Sequence, residues 1–315
     1  MRLLSNEKEW DGGRTAVAFG TFDGVHLGHQ KLMAEAVRLA DENRLCSVAY
    51  SYSTHPMQAF NPDRVPLQLE TLEEKIHSIE KTGIQAAVLR PFDKAYASQS
   101  PRTFVEGIAD ALHPRFIVIG YNYTFGAHGS GKAADMQSLG MELGFETVIV
   151  DAVCVEGEAV SSTRIREAVL KGDVQLAARM LGRPYSVSGT VTEGRHIGSS
   201  LGYATANLLF PSGKAVPGRG VYSAEVSLED GVYAAAVNVG EHPTLPGGAA
   251  CIEAHLLDYT GGALYDKRMK VSFLARLRDE QRFESREQLA ARISEDIECV
   301  RRSAGRALRN LSPEH

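Results

Sequence analysis

The sequence predicts an α/β unit built on a parallel sheet, followed by a small antiparallel β-barrel or sandwich that a helix closes. Two observations carry this expectation. Over roughly the first 180 residues, short apolar runs alternate with segments of helical period, as strands covered on both faces by helices do. Over residues 185–277, five strand-like segments follow one another with no helical stretch between them, which suits antiparallel neighbours.

In the first part the expected strands are TAVAFG (15–20), CSVAYSY (46–52), AAVLRPF (86–92), RFIVIG (115–120) and ETVIVDAV (146–153). Helices are expected at 29–42, 72–82, 101–112 and 133–143. Ser161, Ser162 and Thr163 offer N-cap chemistry to a further helix that stops near Gly172; another runs from Asp173 to a glycine cap at Gly182. GRPYS (182–186) reads as the domain boundary, dividing the chain into 1–182 and 183–315.

Beyond it come YSVSGTVTEG, GVYSAEVSL, GVYAAAVNVG, ACIEAHLLDY and KRMKVSFLARL, with a hairpin turn at Glu229, Asp230 and Gly231. Ser285 and Gln288 suit a capping box for the last helix, and Leu289, Ile293, Ile297 and Val300 fall on one of its faces.

A chain of 315 residues, 43% hydrophobic and 23% charged, can bury a sizeable core in about two domains. Its net charge of −5 gives no broad electrostatic footprint for nucleic acid, and the basic stretch at 301–309 reads as a solvated helix face. Four cysteines without CxxC spacing exclude the usual zinc patterns and suit a reducing compartment; three of them, in apolar runs, are expected to be buried fillers. Charges at Glu7, Lys8 and Glu9 stand where a signal peptide needs apolar residues, and no run is long enough to span a membrane. The expectation is a cytoplasmic protein.

The chemistry concentrates in AVAFGTFDGVHLGH (16–29). A strand enters a glycine-punctuated turn, then a helix, and His26 and His29 lie at the helix start. Such a junction turns unpaired backbone N–H groups and the positive end of the helix dipole toward a cleft, a setting for phosphate. Gly24 and Gly28 leave room for that approach. The plain alternative is a tight turn with two solvated histidines. SYSTHP (51–56) and GYNYTFG (120–126) end neighbouring strands, so three turns converge on one rim. SSTRIR (161–166) adds hydroxyls, helix-end N–H groups and Arg164, able to clamp phosphates from the other side; Arg166, two residues on, points elsewhere and suits a structural pair.

GTFDGVHLGHQ, the His-Pro turn, GYNYTFG and SSTRIREAVLKGDVQLAARMLGRPY together resemble the adenylyltransferase domain of the bacterial bifunctional riboflavin kinase/FAD synthetase family, over about residues 15–185. Residues 183–305 resemble its riboflavin kinase module through GSSLGYATANL, PGRGVYSAEV, NVGEHPT, IEAHLLDY and VSFLARLRDEQRFESREQL. The resemblance implies an α/β Rossmann-like nucleotidyltransferase domain followed by a small antiparallel β-barrel domain with a C-terminal helix. It implies phosphorylation of riboflavin to FMN, then transfer of AMP from ATP to FMN, giving FAD and pyrophosphate.

By the same resemblance Gly20, Phe22, Gly24, His26, His29, Ser162, Thr163 and Arg164 bind ATP in the first domain, with His26 and His29 as its catalytic groups. Asn122 falls near the flavin phosphate or the reacting centre, and as an amide it can donate a hydrogen bond but not act as a base. Phe60 is a candidate to stack on the flavin, with a core aromatic as the alternative. In the second domain Gly198, Thr205 and Asn207 would bind ATP phosphates, with Thr205 and Asn207, on a turn, holding Mg²⁺. Glu253 would accept the proton of the ribityl hydroxyl, unless it is only a strand residue on a solvated face. Arg278 would contact flavin, unless it is a plain surface arginine. Ala204, Ser199, Ala263 and Asp266 depart from the family pattern in the kinase module.

Other readings stand beside this one. An adenylyltransferase for another mononucleotide or pantetheine phosphate has no use for the second module. A chain active only in its first domain, with a weak or flavin-binding C-terminal half, is the alternative those departures leave. An NAD-linked oxidoreductase is disfavoured, because no G-x-G-x-x-G follows a strand. Riboflavin, FMN and ATP are the expected partners, without nucleic acid or membrane.

Overall fold

The computed structural model describes residues 1–192, 204–241, 250–281, 285, 288 and 291–301. The chain forms two compact units, Met1–Ser162 and Thr163–His315.

The first unit is a six-stranded parallel sheet in the order β1-β4-β3-β2-β5-β8. Its strands are β1 (Arg2–Leu4), β2 (Thr15–Phe19), β3 (Cys46–Tyr52), β4 (Ala86–Arg90), β5 (Pro114–Gly120) and β8 (Glu146–Val150). Two short ribbons accompany it, β6 (Thr124–Phe125) with β7 (Gly131–Lys132) and β9 (Cys154–Val155) with β10 (Glu158–Ala159). The helices are α1 (Leu27–Asn43), α2 (Leu72–Glu80), α3 (Lys94–Ala97), α4 (Pro101–Leu112) and α5 (Ala133–Leu143).

The sheet is buried on both sides by alternation along each strand. Val17 and Phe19 of β2 join Phe104, Ile108 and Leu112 of α4 and Met136 of α5 on one face. Ala16 and Ala18 join Leu32, Met33 and Ala36 of α1 and Ile79 of α2 on the other. The small side chains on that second face let α1 approach the sheet closely. The expected helices at 101–112 and 133–143 are found with those limits. β1, absent from the sequence reading, pairs with β4 at the sheet edge.

Strand order decides where the site lies. From β2 the chain winds outward through β3 and β4, then returns to place β5 on the other side of β2. The carboxyl ends of β2 and β5 therefore border a topological switch point, where open α/β sheets bind ligands.

The second unit opens with α6 (Ser162–Lys171) and α7 (Val174–Leu181) and continues as a closed antiparallel barrel, not a sandwich. Around it run β11 (Tyr185–Thr192), β12 (Ala204–Leu209), β15 (Ala250–Leu256), β14 (Gly231–Glu241), β13 (Gly220–Leu228) and β16 (Arg268–Arg278). A two-residue turn, Glu229 and Asp230, joins β13 to β14, whose paired ends are Leu228 and Gly231. Gly172 has φ of +83°, and a Cβ there would come 2.6 Å from the Tyr222 hydroxyl, so the turn after α6 requires glycine. Residues 291–301 form the closing helix, whose Ile293, Ile297 and Val300 pack with Ala236 and Leu257. Leu289 and the basic stretch from 302 lie outside the described residues.

Two expectations are corrected. Asn207 and the backbone of Thr205 sit in strand β12, not in a turn. The hydrogen bonds of β15 and β11 on either side hold that segment extended. None of the cysteines is a buried filler: Cys46, Cys251 and Cys299 are half-buried and Cys154 is exposed. Their apolar runs lie at strand ends or helix flanks.

Candidate functional sites

In the first unit the loop from Gly20 to His26 carries the chemistry. Phe22, Gly24 and Val25 have φ of +49°, +84° and +33°. For a β-branched residue such as Val25 that conformation is costly and persists only where the surroundings impose it. Several tethers do so. The Asp23 carboxylate accepts the backbone N–H groups of Leu69 at 2.9 Å and Glu70 at 3.3 Å. Its carbonyl accepts the Ser162 hydroxyl at 2.8 Å. Phe22 is fully buried and meets the His29 ring edge-on at 5.2 Å. A Cβ on Gly20 would run into the Phe22 ring, so this glycine makes room for that packing.

His26 is the N-cap of α1, its Nδ1 accepting the backbone N–H of His29 at 3.3 Å. That bond leaves the proton of a neutral ring on Nε2 and makes Nε2 the donor. The rings of His26 and His29 stack at 3.6 Å. Burial, then the neighbouring His26 and Lys75, hold the His29 pKa well below the usual histidine value, so this ring is neutral near pH 7. Its Nδ1 is buried with no hydrogen-bond partner, an unsatisfied polar group beside the Gly20–His26 loop. Gly28 makes room for the His26 ring. A Cβ there would sit 3.2 Å from Cε1 and Nδ1 of His26.

The rim holds other expected residues. Asn122 is exposed just beyond β5. Phe60 is 57% exposed, so it is not a core aromatic; its ring meets Phe92 at 6.3 Å, and Phe92 meets Tyr52 at 4.9 Å. The imidazole of His55 caps the single turn Pro56–Ala59 by accepting the Met57 N–H at 3.1 Å. Sequence reasoning missed Asp23, Lys75 and the Tyr52–Phe92 pair; a lysine in an otherwise apolar helical period was the available signal for Lys75. In the second unit Thr163 is exposed and Arg164 and Arg166 are half-buried on α6.

In the barrel, register assembles a polar row. Glu253 of β15 pairs with Asn207 of β12 on one side and Asn238 of β14 on the other. Its chain neighbours Ile252 and Ala254 are fully buried, so Glu253 points to the opposite face. Two residues along the same face, His255 is buried; desolvation pushes its pKa down, against the charges of Glu253 and Asp296. Asn207 Oδ1 lies 3.8 Å from the Cys251 thiol. Asn238 and His255 were not singled out from sequence, because only the register brings them beside Glu253.

Arg278 is no plain surface arginine. Its Nε and Nη2 donate to the Asp296 carboxylate at 3.0 and 2.7 Å, and the two side chains are 11% and 7% exposed. This pair anchors the closing helix to the end of β16. Gly198 and Ser199, and the side chains of Ala204 and Thr205, lie outside what the structure describes.

Two family models match, FAD synthetase over residues 8–164 and riboflavin kinase over 181–304. The bifunctional riboflavin kinase/FMN adenylyltransferase of Haemophilus influenzae is 32% identical, covering 91% of this chain and 93% of its own. The chain belongs to the bifunctional riboflavin kinase/FMN adenylyltransferase family. The enzyme of that name from Pseudomonas fluorescens is 34% identical over 90% of each chain. A crystal structure titled a macrolide-efflux protein, from Streptococcus pneumoniae, superposes with a TM-score of 0.87 at 31% identity, covering 95% of this chain and 98% of that one. Among the described residues of the present family member, no helix is long and apolar enough to cross a membrane. Both the FAD synthetase and the riboflavin kinase domain of the family are present, each holding one of the polar centres built above.

Proposed function

We propose that this chain phosphorylates riboflavin to FMN and then transfers AMP from ATP to FMN, with the first activity in residues 183–315 and the second in 1–182. The observation that carries the reading is the presence of two separate polar centres on one chain, each within its own matched domain.

For adenylyl transfer, an FMN phosphate oxygen attacks the α-phosphorus of ATP and pyrophosphate leaves. His26 and His29, at the positive end of α1, donate to phosphate oxygens as charge develops there. Gly20, Phe22 and Gly24 shape the loop that carries them. Ser162, Thr163 and Arg164 bind the outer phosphates, while Asn122 and Phe60 contact the flavin nucleotide. For phosphorylation, Glu253 accepts the proton of the ribityl hydroxyl as its oxygen attacks the γ-phosphorus of ATP, and ADP leaves. Gly198, Thr205 and Asn207 hold the phosphates of that ATP, and Arg278 contacts flavin.

Magnesium is the metal the donor chemistry fits. An amide oxygen and a hydroxyl are hard donors of the kind that ion takes while it keeps several waters. The Asn207 amide oxygen and the Thr205 hydroxyl would hold it, and when bound it neutralises phosphate charge. The partners are small molecules, and the compartment is the cytoplasm.

The test is incubation with riboflavin, ATP and Mg²⁺ and chromatographic separation of riboflavin, FMN and FAD over time. Glu253→Gln should stop FMN formation while FMN is still converted to FAD. The double change His26→Ala/His29→Ala should let FMN accumulate. Simultaneous loss of both activities in either variant would overturn the two-site reading.

A further inference from the structure

The loop after β2 carries the histidines, and the loop after β3 carries His55 and Phe60. One buried side chain ties the two together. Lys75, on the second turn of α2, is 9% exposed. Its Nζ donates to the carbonyl of Thr21 at 2.9 Å and to the carbonyl of Tyr52 at 3.1 Å. These carbonyls lie two residues beyond Phe19 and Tyr50, which pair across β2 and β3. The clamp therefore closes where the two strands end and their loops diverge.

The placement of Lys75 is itself fixed. Thr71 and Glu74 form a capping box that starts α2, and the Asp23 carboxylate holds the preceding backbone at Leu69 and Glu70. Among the described residues Lys75 enters no ion pair. Burial holds the Lys75 pKa below the ordinary lysine value, and the charges of Asp23 and Glu70 offset that only in part. A buried ammonium bonded only to carbonyls is expensive unless it serves something. Stability alone does not call for it, because Gly20 N–H already bonds the Tyr50 carbonyl and the Ser51 hydroxyl already donates to the Thr21 carbonyl, at 3.2 and 3.0 Å. What those bonds lack is the link from the Thr21 carbonyl to that of Tyr52.

We propose that Lys75 is a positioning residue for adenylyl transfer: by bridging the Thr21 and Tyr52 carbonyls it holds the triphosphate-side loop and the acceptor-side loop in register for in-line attack. The inference rests on the proposed FMN adenylyltransferase activity of this unit. Each loop can still bind its own substrate without the bridge, so the loss falls on alignment and hence on kcat.

The experiment compares Lys75→Met and Lys75→Gln with the unaltered chain, measuring kcat and KM for FAD formation from FMN and ATP. Riboflavin phosphorylation by the same preparations is the internal measure of folded protein. The expected result is at least a tenfold fall in kcat for FAD, about what a small misplacement of reacting groups costs. Both KM values should stay within about threefold and the kinase rate should be unchanged. Ser51→Ala, which removes a donor to Thr21 but leaves the Lys75 link between the Thr21 and Tyr52 carbonyls, should change kcat less than threefold. An undiminished kcat in Lys75→Met or Lys75→Gln overturns the proposal. So does a rise in KM that accounts for the whole loss, or an equal loss in Ser51→Ala. If Lys75→Met fails to accumulate as folded protein, Lys75→Gln, which stays polar but ends one atom short of the position from which Nζ reaches both carbonyls, decides alone. Failure of the unaltered chain to make FAD would instead remove the activity on which the inference rests.

Discussion

Replacing Gly28 by alanine should separate stability from activity at the head of α1. The new Cβ would lie 3.2 Å from two atoms of the His26 ring, a few tenths of an ångström inside ordinary contact. The ring must therefore shift. It is held by a 3.3 Å cap bond to the His29 N–H and by a 3.6 Å stack on the His29 ring. That bond is already long, and a further few tenths removes it, costing about 1 kcal/mol as lost caps do. Alanine in a helix in place of glycine returns about 0.5–1 kcal/mol. Net stability should thus change by less than about 0.5 kcal/mol. The ring proposed to donate to phosphate is nonetheless displaced and its tautomer released, which should lower kcat for FAD formation about 10- to 100-fold. The assay is FAD formation from FMN and ATP, with thermal unfolding and riboflavin phosphorylation measured on the same sample. FAD formation within twofold of the unaltered chain would refute the reasoning, because His26 would then work without its present place.

Asp296→Ala should leave the Arg278 guanidinium buried without its carboxylate. The barrel should lose about 3–5 kcal/mol in urea unfolding followed through kinase activity, while FAD formation holds at lower urea. Gly172→Ala should destabilise the same unit by at least about 1–3 kcal/mol, read as a lower unfolding midpoint, since φ is +83° there and the Tyr222 hydroxyl occupies the space. The depressed pKa of His29 sets a pH dependence. Above the ordinary value of 6.5 the ring is neutral folded or unfolded, and its contribution to stability is complete. As pH falls below that, the unfolded chain takes up a proton the folded one refuses, and stability declines until the folded pKa is passed. His29→Gln should therefore show a shallower loss of thermal stability between neutral and mildly acid pH.

Local signals were enough for much of the fold. Pro101 at the first helical position and Gly144 in the left-handed cap after Leu143 mark the limits of α4 and α5. Apolar runs marked β2 to β5 because strands buried on both faces carry their pattern in the chain itself. The strand, turn and helix start at 20–29 were legible as well, since a glycine turn before a helix is a local arrangement, and it is this arrangement that suggests an anion site. Strand β12 escaped, because Ala204–Leu209 is short and its alternation rests on two alanines of little hydrophobic weight, and its conformation comes from its neighbours' hydrogen bonds. Phe60 and Arg278 could be assigned a residue type's usual options but not a degree of exposure or a partner.

What the chain determined by itself was the kind of chemistry and the class of each half, through periodicity and short-range motifs. Tertiary structure alone decided that Asn207, Glu253 and Asn238 form one row, that Arg278 meets Asp296, and that Lys75 joins two loops. The physical reason is sequence distance. These contacts link residues 15 to 54 positions apart, where only strand register and helix docking choose the partner, and neither is written in any window that short-range pattern can read.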